Sequence, residues 1–263
     1  MSASDARLGA LDKVLDGARV DENFAADLFA VVDALSGSPT LRRALTDPGT
    51  PEGARQALVR GLLKDKVSQP VIDLVAEGAA MRWSGGRTFA AALERQAVRS
   101  QLILAEGAGQ LDETEDELFR FARLVESNPG LRNALGDRTV GLTARQKLVE
   151  DLLTGKATSA SVALAKRAVL ARERTFGHTI EGYVNLAAAQ KNRVIATVRV
   201  ARPMTEEQRQ RLRRSLSRQV GSDVVLQEVV DEAVLGGVRV ELGNEVIEGT
   251  VAGRLNEARR LFS

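Results

Sequence analysis

The sequence predicts a mostly α protein in which two tandem helical-bundle repeats are followed by a small α+β C-terminal domain. Apolar residues recur every three or four positions over most of the chain, which is the period of an amphipathic helix. Two stretches that lie ninety residues apart resemble each other. After Lys191 apolar and polar residues alternate instead, which is the pattern of a half-buried strand.

The repeat aligns residues 27–63 with residues 117–153 without a gap. It contains 15 identities in 37 positions, where unrelated sequences would give roughly two or three. Because the unit occurs twice, we interpret it as a pair of tandem domains and not as a solenoid. The predicted domains are residues 1–110, residues 111–192 and residues 193–263.

In the first copy, each apolar stripe predicts one helix. The stripes are Leu8, Leu11, Leu15 and Ala18; then Phe24, Leu28, Val31, Val32 and Leu35; then Val71, Leu74, Val75 and Ala79. Thr50 is the predicted N-cap of a helix that has Pro51 as its first residue and that runs to Leu63. Gly85 and Gly86 precede a long helix from about Thr88 to Ala105.

The second copy predicts the same helices with its own caps. Thr143 and Gln146 fit a capping box before a helix that ends at Leu153. The copy of the first helix is assigned to the segment that runs from the long helix into Asp112 and Glu117. The remaining stripes are Leu118, Phe121, Ala122 and Val125, and then Phe176, Ile180, Tyr183, Val184 and Ala187.

The last seventy residues predict a strand, a helix, a strand, a hairpin and a helix. Thr205 to Gln208 form a capping box whose helix carries acids in its first turn and arginines towards its end, as the helix dipole favours. Gly243 and Asn244 are the predicted turn of the hairpin, and Thr250 is the predicted N-cap of the terminal helix. The strand residues are Val194, Ala196, Val198 and Val200; Val224, Leu226 and Val230; Val238, Val240 and Leu242; and Val246 and Ile247.

Composition excludes several classes of protein. The chain has no cysteine, which excludes disulfides and thiolate metal sites and agrees with a reducing compartment. It has neither the signature of a signal peptide nor an apolar run of about 18 residues, so we expect a soluble protein that is not exported. Basic residues number 37 and acidic residues 35, a balance that does not by itself indicate a nucleic-acid partner.

Catalytic and cofactor motifs are not found. His178 is the single histidine, so an imidazole-based triad or a metal site has little to build on, and a surface or structural role is expected. Gly155-Lys156 lacks the first glycine of a phosphate-binding loop, since Glu150 stands there. We therefore predict a protein that is not an enzyme and that binds neither cofactor nor metal. A basic helical adaptor for nucleic acid is the alternative, suggested by the arginines between Arg209 and Arg218.

The C-terminal stretch contains a spaced motif that consists of Leu235, Gly236, Gly237, Val238, Val240, Gly243, residues 246–251 and Leu255. This motif resembles the δ subunit of bacterial F-type ATP synthases, whose mitochondrial counterpart is the oligomycin-sensitivity-conferring protein. The resemblance extends upstream over residues 129–135, residues 143–153, Arg172 and residues 189–205, and the first copy then corresponds to the extra domain of the long form of this subunit. One departure is Glu248-Gly249-Thr250, where the family usually has Asp-Gly-Ser.

The resemblance implies a stator subunit in the peripheral stalk, on the cytoplasmic face of the cell membrane and attached to it only through the complex. It implies two partners: the N-terminal helices of the α subunits in the catalytic head, and the b subunit of the stalk. Family analogy places the head-binding groove between the first and fifth helices of a bundle. The candidates there are Leu8, Leu11, Leu15, Val71, Leu74 and Val75. The candidates for the stalk contact are Leu235, Gly236, Gly237, Val238, Val251, Leu255 and Ala258.

Overall fold

In a computed structural model, the chain divides into two compact units, Met1–Val184 and Asn185–Ser263. The structure describes residues 3–170, 175–190, 193–220, 223–231, 234, 237–242 and 245–250. Within these ranges the first unit is helical and the second contains a four-stranded sheet. The predicted fold class is therefore confirmed, whereas the finer division at residues 110 and 192 stays a prediction.

The helices of the first unit follow the ninety-residue repeat. Helices that begin at residues 39, 52, 69 and 86 are matched by helices that begin at 129, 142, 159 and 176. Each predicted apolar stripe lies on one of these helices, except that Ala18 of the first stripe follows the end of the first helix. The helices are α1 (Ala3–Asp16), α2 (Glu22–Gly37), α3 (Pro39–Thr46), α4 (Glu52–Leu63), α5 (Gln69–Ala80), α6 (Gly86–Gly107), α7 (Leu111–Ser127), α8 (Pro129–Gly136), α9 (Leu142–Leu153), α10 (Ser159–Ala168) and α11 (Phe176–Gln190).

Helix α6 belongs to both copies. It packs against α1, α2, α3 and α5 of the first copy and also against α7 and α10 of the second. Its residues 93–106 stand ninety positions after α1, so the second half of α6 serves as the first helix of the second copy. The expectation that Asp112 and Glu117 contribute to that helix is wrong, because both lie in α7, the counterpart of α2.

The core of the first copy is built from leucine, valine and alanine around two phenylalanines. Phe24 and Phe89 are fully buried, and Trp83 packs against Phe89 with 5.7 Å between the ring centroids. A Cβ on Gly78 would lie 2.8 Å from the Phe89 ring, so a glycine is needed at this close approach of α5 and α6. The other core residues include Leu11, Leu15, Leu28, Leu35, Val71, Leu74, Val75 and Leu93.

Two predicted helix caps are wrong. Pro51, not Thr50, is the N-cap of α4, because the Thr50 hydroxyl donates to the Asp47 carboxylate instead. Gly141 is the N-cap of α9, which places Thr143 inside the helix, and the Gln146 amide donates to the Lys166 carbonyl. In both cases tertiary or loop contacts use the side chain that the local pattern assigned to capping.

The same polar contacts fix equivalent loops in the two copies. Asp27 accepts a hydrogen bond from the Ser68 amide before α5 (2.9 Å), and Glu117 accepts one from the Thr158 amide before α10 (2.9 Å). Arg55 donates to the carbonyl of Thr50, in the loop before α4, and to that of Ala79 in α5. Arg145 donates in the same way to Val140, before α9, and to Val169, after α10. The duplication has therefore kept the contacts that connect the helices as well as the apolar stripes.

The second unit is an α+β domain with strand order β2-β1-β3-β4. Strands β1 (Arg193–Val200) and β2 (Asp223–Val230) are parallel, and α12 (Glu206–Val220) connects them and packs on β2. Strands β3 (Gly237–Leu242) and β4 (Glu245–Thr250) form the predicted antiparallel hairpin, with β3 also paired to β1. Val198 and Val240 are paired across β1 and β3 and are both buried in the core of the domain.

The predicted start of α12 agrees with the structure, whereas strand β4 is longer than predicted. The capping box of α12 is confirmed, since the Thr205 hydroxyl accepts from the Gln208 amide (3.3 Å) and the Gln208 side chain accepts from the Thr205 amide (2.9 Å). Strand β4 continues through Thr250, which pairs with Gly237, so the residue predicted to cap the terminal helix is also the last residue of the strand. The predicted turn at Gly243 and Asn244 and the predicted terminal helix after Thr250 lie outside the described residues.

Candidate functional site

The six residues predicted to bind the head lie between α1 and α5, which pack side by side in the first copy. Five of them are completely buried in the core of this copy, and Leu8 is partly buried against it. The surface that these helices present therefore consists of the residues at its margins and not of the stripe itself. The buried five are Leu11, Leu15, Val71, Leu74 and Val75. Their part in binding the head stays a prediction.

We call this exposed margin the α1–α5 face, defined by Leu8, Pro70, Asp73 and Glu77. Leu8 and Pro70 are half-buried, and Asp73 and Glu77 are exposed. Both acids contact side chains of α4: Gln56 donates a hydrogen bond to Glu77 (3.3 Å), and Arg60 forms an ion pair with Asp73 (3.9 Å). The face thus combines two half-buried apolar residues with an acidic edge.

A polar cluster holds α1 in place beside this face. The Asp12 carboxylate accepts hydrogen bonds from Arg95, from Arg99 (3.1 Å) and from Gln96 (2.8 Å), all on α6. Burial alone would raise the pKa of Asp12, but the hydrogen bonds from Arg95 and Gln96 and the charges of Arg95 and Arg99 outweigh it, so the pKa is lowered. The ionised carboxylate therefore fixes α1 to α6 at ordinary pH.

The corresponding helix pair of the second copy is the second half of α6 with α10. Arg167 of α10 is 8% exposed and donates to Glu94 of α6 through Nε (2.7 Å). The same guanidinium pairs with Asp33 of α2 (2.7 Å) and lies over the ring of Phe29 at 4.5 Å. Although burial opposes its charge, the hydrogen bond to Glu94 and the two acids raise the pKa of Arg167. This cluster, the Arg167 latch, joins α2 of the first copy to α10 of the second.

A cleft of about 630 Å³ lies beside the latch, between the two copies. Helix α2 forms one wall with Glu22, Ala26 and Phe29, and α10 forms the other. Gln101 of α6 lines the cleft between these walls, and Gln146 of α9 lines it as well. The lining from α10 consists of Ser159, Val162, Ala163, Lys166 and Arg167. Sequence periodicity could not identify this cleft, because it arises from the contact of two separately predicted bundles.

The candidates for the stalk contact are mostly outside the described residues, namely Leu235, Gly236, Val251, Leu255 and Ala258. Gly237 opens β3 with φ of 81°, a conformation that a residue without a Cβ adopts readily. Val238 is half-buried against the core of the C-terminal domain and pairs with Val200. The predicted role of these seven residues in stalk binding stays a prediction.

Two of the arginines of α12 are paired with acidic side chains, which does not favour a nucleic-acid site. Arg209 pairs with Glu206 (2.9 Å) and with Glu228 (3.0 Å), and the hydrogen bond that Arg209 donates to the Glu228 carboxylate is the main reason that the pKa of Arg209 is raised. Arg211 pairs with Glu207 (3.3 Å). These acids neutralise part of the positive charge that phosphate binding would need.

The parts of the chain that the structure describes contain no group of side chains suited to bind a metal ion. His178 Nδ1 lies 2.9 Å from the Thr175 hydroxyl, at the start of α11. Over those same residues, no cluster of three or more histidine, cysteine or acidic side chains could hold a metal ion, and no helix is long and apolar enough to cross a bilayer.

Comparison with known proteins identifies the family. The family model described as ATP synthase delta (OSCP) subunit matches residues 97–262, which is more than half of the chain. This chain belongs to that family. The ATP synthase subunit delta of Cutibacterium acnes is 40% identical over 250 residues, covering 95% of each chain. Those of a Parafrankia species (44% over 237 residues; 90% of this chain and 85% of that protein) and of a Nocardioides species (41% over 257 residues; 96% and 93%) are similar to it as well.

The family match covers one of the two copies. The delta (OSCP) model begins at Ala97, in the second half of α6, and its match extends over the second copy and most of the C-terminal domain. Since the three relatives align over at least 90% of this chain, they also contain most of the region that forms the first copy.

Proposed function

We propose that this protein is a non-catalytic stator subunit of the F-type ATP synthase, which joins the catalytic head to the peripheral stalk and resists the torque of the rotor. The observation that carries the proposal is the family match, supported by about 40% identity to delta subunits along nearly the whole chain. The chain is located on the cytoplasmic face of the cell membrane and is held there through the complex.

The proposed partners are the N-terminal helices of the α subunits and the end of the b subunit. The helical unit suits the first partner, because adjacent helices with an apolar margin form a groove that can hold an amphipathic helix. The C-terminal domain, with the motif from residue 235 onward, is the proposed site for b. The separation of the chain into two compact units supports this division of partners.

The mechanical role places a physical demand on the chain. A stator must transmit force without unfolding, and packed helices with buried ionic contacts deform little under load. Two features favour such stiffness in the helical unit: α6 runs through both copies, and the Arg167 latch connects α2 with α10. We infer that the two copies move as one piece when the head pushes against the stalk.

Sedimentation analysis of mixtures tests the proposal. The purified chain is combined with an isolated head complex, with the same head lacking the N-terminal residues of α, and with the soluble part of b. We expect one complex with the intact head, none with the truncated head, and a separate complex with b. Equal binding to both heads, or no complex with either the head or b, would contradict the proposed function.

A further inference from the structure

The ninety-residue repeat creates two equivalent helix-pair surfaces, α1–α5 in the first copy and α6–α10 in the second. We propose that α2 covers part of the α6–α10 surface within the same chain, so that, of these two surfaces, the α1–α5 face is the one open to a partner helix. This inference rests on the proposed function, because it concerns the groove that would hold the N-terminal helix of an α subunit.

Burial at matched positions distinguishes the two surfaces. Leu8, Pro70 and Glu77 of the first copy are half-buried or exposed. Their counterparts ninety residues later, Val98, Ala160 and Arg167, are 0%, 3% and 8% exposed. At these three positions the second copy is covered where the first is open, whereas Asp73 and its counterpart Ala163 are both exposed.

The covering element is α2, which packs along α6. Its residues Ala26, Phe29 and Asp33 are spaced by three and four, so they lie on one side of the helix. Phe29 and Asp33 contact Arg167, and Ala26 and Phe29 line the cleft opposite α10. Helix α2 therefore covers part of the α6–α10 surface, as an amphipathic helix of a partner chain would.

The remaining cleft is too small for a second helix. A helix with its side chains is about 10–12 Å wide, whereas Arg167 and Asp33 bridge α10 and α2 directly at 2.7 Å. A volume of about 630 Å³ accommodates a few side chains and not several helical turns. A partner helix could enter here only if the Arg167 latch opened.

The latch cannot form in the first copy, which indicates the chemistry of the partner. The residue equivalent to Arg167 is Glu77, so the charge at this position is reversed, and Asp73 adds a second acid where the second copy has Ala163. Opposite charges favour docking at such an edge. The α1–α5 face therefore fits an amphipathic helix with small or apolar residues on its contact side and a lysine or arginine beside Glu77.

Calorimetric titration of the full chain with a synthetic peptide of the α-subunit N-terminus from the same organism tests this. We expect one peptide per chain. Glu77→Lys should weaken the affinity about ten-fold or more, because the charge at the edge of the groove is reversed. Ala163→Lys, the matched change on an exposed residue of the second copy, should leave the affinity unchanged. Circular dichroism would verify that both variants are folded.

The outcomes separate this inference from the proposed function. Two peptides per chain, or weaker binding by Ala163→Lys with Glu77→Lys unaffected, would overturn the assignment of the open surface while supporting the proposed partner. Absence of binding by the unmodified chain at concentrations well above micromolar would overturn both.

Discussion

Asp65, which follows α4, and Gly155, which follows α9, are equivalent residues of the two copies, and both have a positive φ, of 58° and 74° respectively. In this region a side chain costs about 1–2 kcal/mol relative to glycine, although aspartate tolerates it better than most residues. The turn after this helix has therefore kept its backbone conformation while its residue changed.

Exchanging the residue types tests this relationship. Asp65→Gly is expected to raise the free energy of unfolding by about 0.5 kcal/mol, and Gly155→Ala to lower it by about 1 kcal/mol. A Cβ on Gly155 would have no heavy atom within 4 Å, so the second effect comes from the backbone alone. Urea unfolding measures both. A neutral Gly155→Ala variant would show that the turn is not constrained to this conformation.

Arg55 connects the loop before α4 to the end of α5. It is 4% exposed and donates to the carbonyls of Asp47, Thr50, Ala79 and Ala80. Arg55→Ala should lower the free energy of unfolding by about 3 kcal/mol, because these carbonyls lose a charged donor in a buried place. Thermal unfolding followed by circular dichroism is the measurement.

The matched control is Arg145→Ala in the second copy. Arg145 is half-buried, and its bonds to Leu135, Val140 and Val169 are longer, at 3.1 to 3.4 Å. Its removal should cost less, about 1 kcal/mol. An equal or greater loss than for Arg55→Ala would show that burial does not determine the strength of these contacts.

The contact of α1 with α6 should depend on pH through Asp12. Its pKa is lowered in the folded chain, so its contribution to stability is complete above the unfolded value of about 3.8 and is lost as the pH falls through the lower, folded value. Asp12→Asn should therefore be less stable than the unmodified chain at neutral pH, with a difference that shrinks below pH 4. Urea unfolding at several pH values measures this, and a constant difference would contradict the role of the carboxylate.

The elements of the fold were predictable because each has a clear period. On α2 the stripe of Phe24, Leu28 and Leu35 is buried as expected. On β1 the alternating residues Val198 and Val200 are buried as well. Caps were less predictable, since the side chains of Thr50 and Gln146 are used by contacts that the local sequence does not show.

The dual role of α6 was predicted in part: the copy of the first helix was expected to start in the long helix but also to include Asp112 and Glu117, which lie in α7. One helix that packs on two sides has a wide apolar surface, so its pattern does not show where the second bundle starts.

The candidate binding surfaces were harder to predict than the fold. A leucine stripe has the same pattern whether it packs inside a bundle or against a partner, and the structure buries Leu11 and Leu15 completely. The Arg167 latch joins residues 73 and 134 positions apart in sequence, and ion pairs at such distances leave no periodic signal. The change from Glu77 to Arg167 between the repeats was the one available clue, because charge reversal at equivalent positions indicates different surroundings.

Stator function is tested most directly by coupling in membrane vesicles. A head without a stator turns with the rotor, so it hydrolyses ATP without moving protons. Everted vesicles that retain the membrane sector and b but lack this chain are recombined with the purified head, and ATP-driven acidification is recorded with and without the added chain. We predict that hydrolysis occurs in both samples and acidification only when the chain is present. Full acidification without the chain would contradict its role as the link between head and stalk.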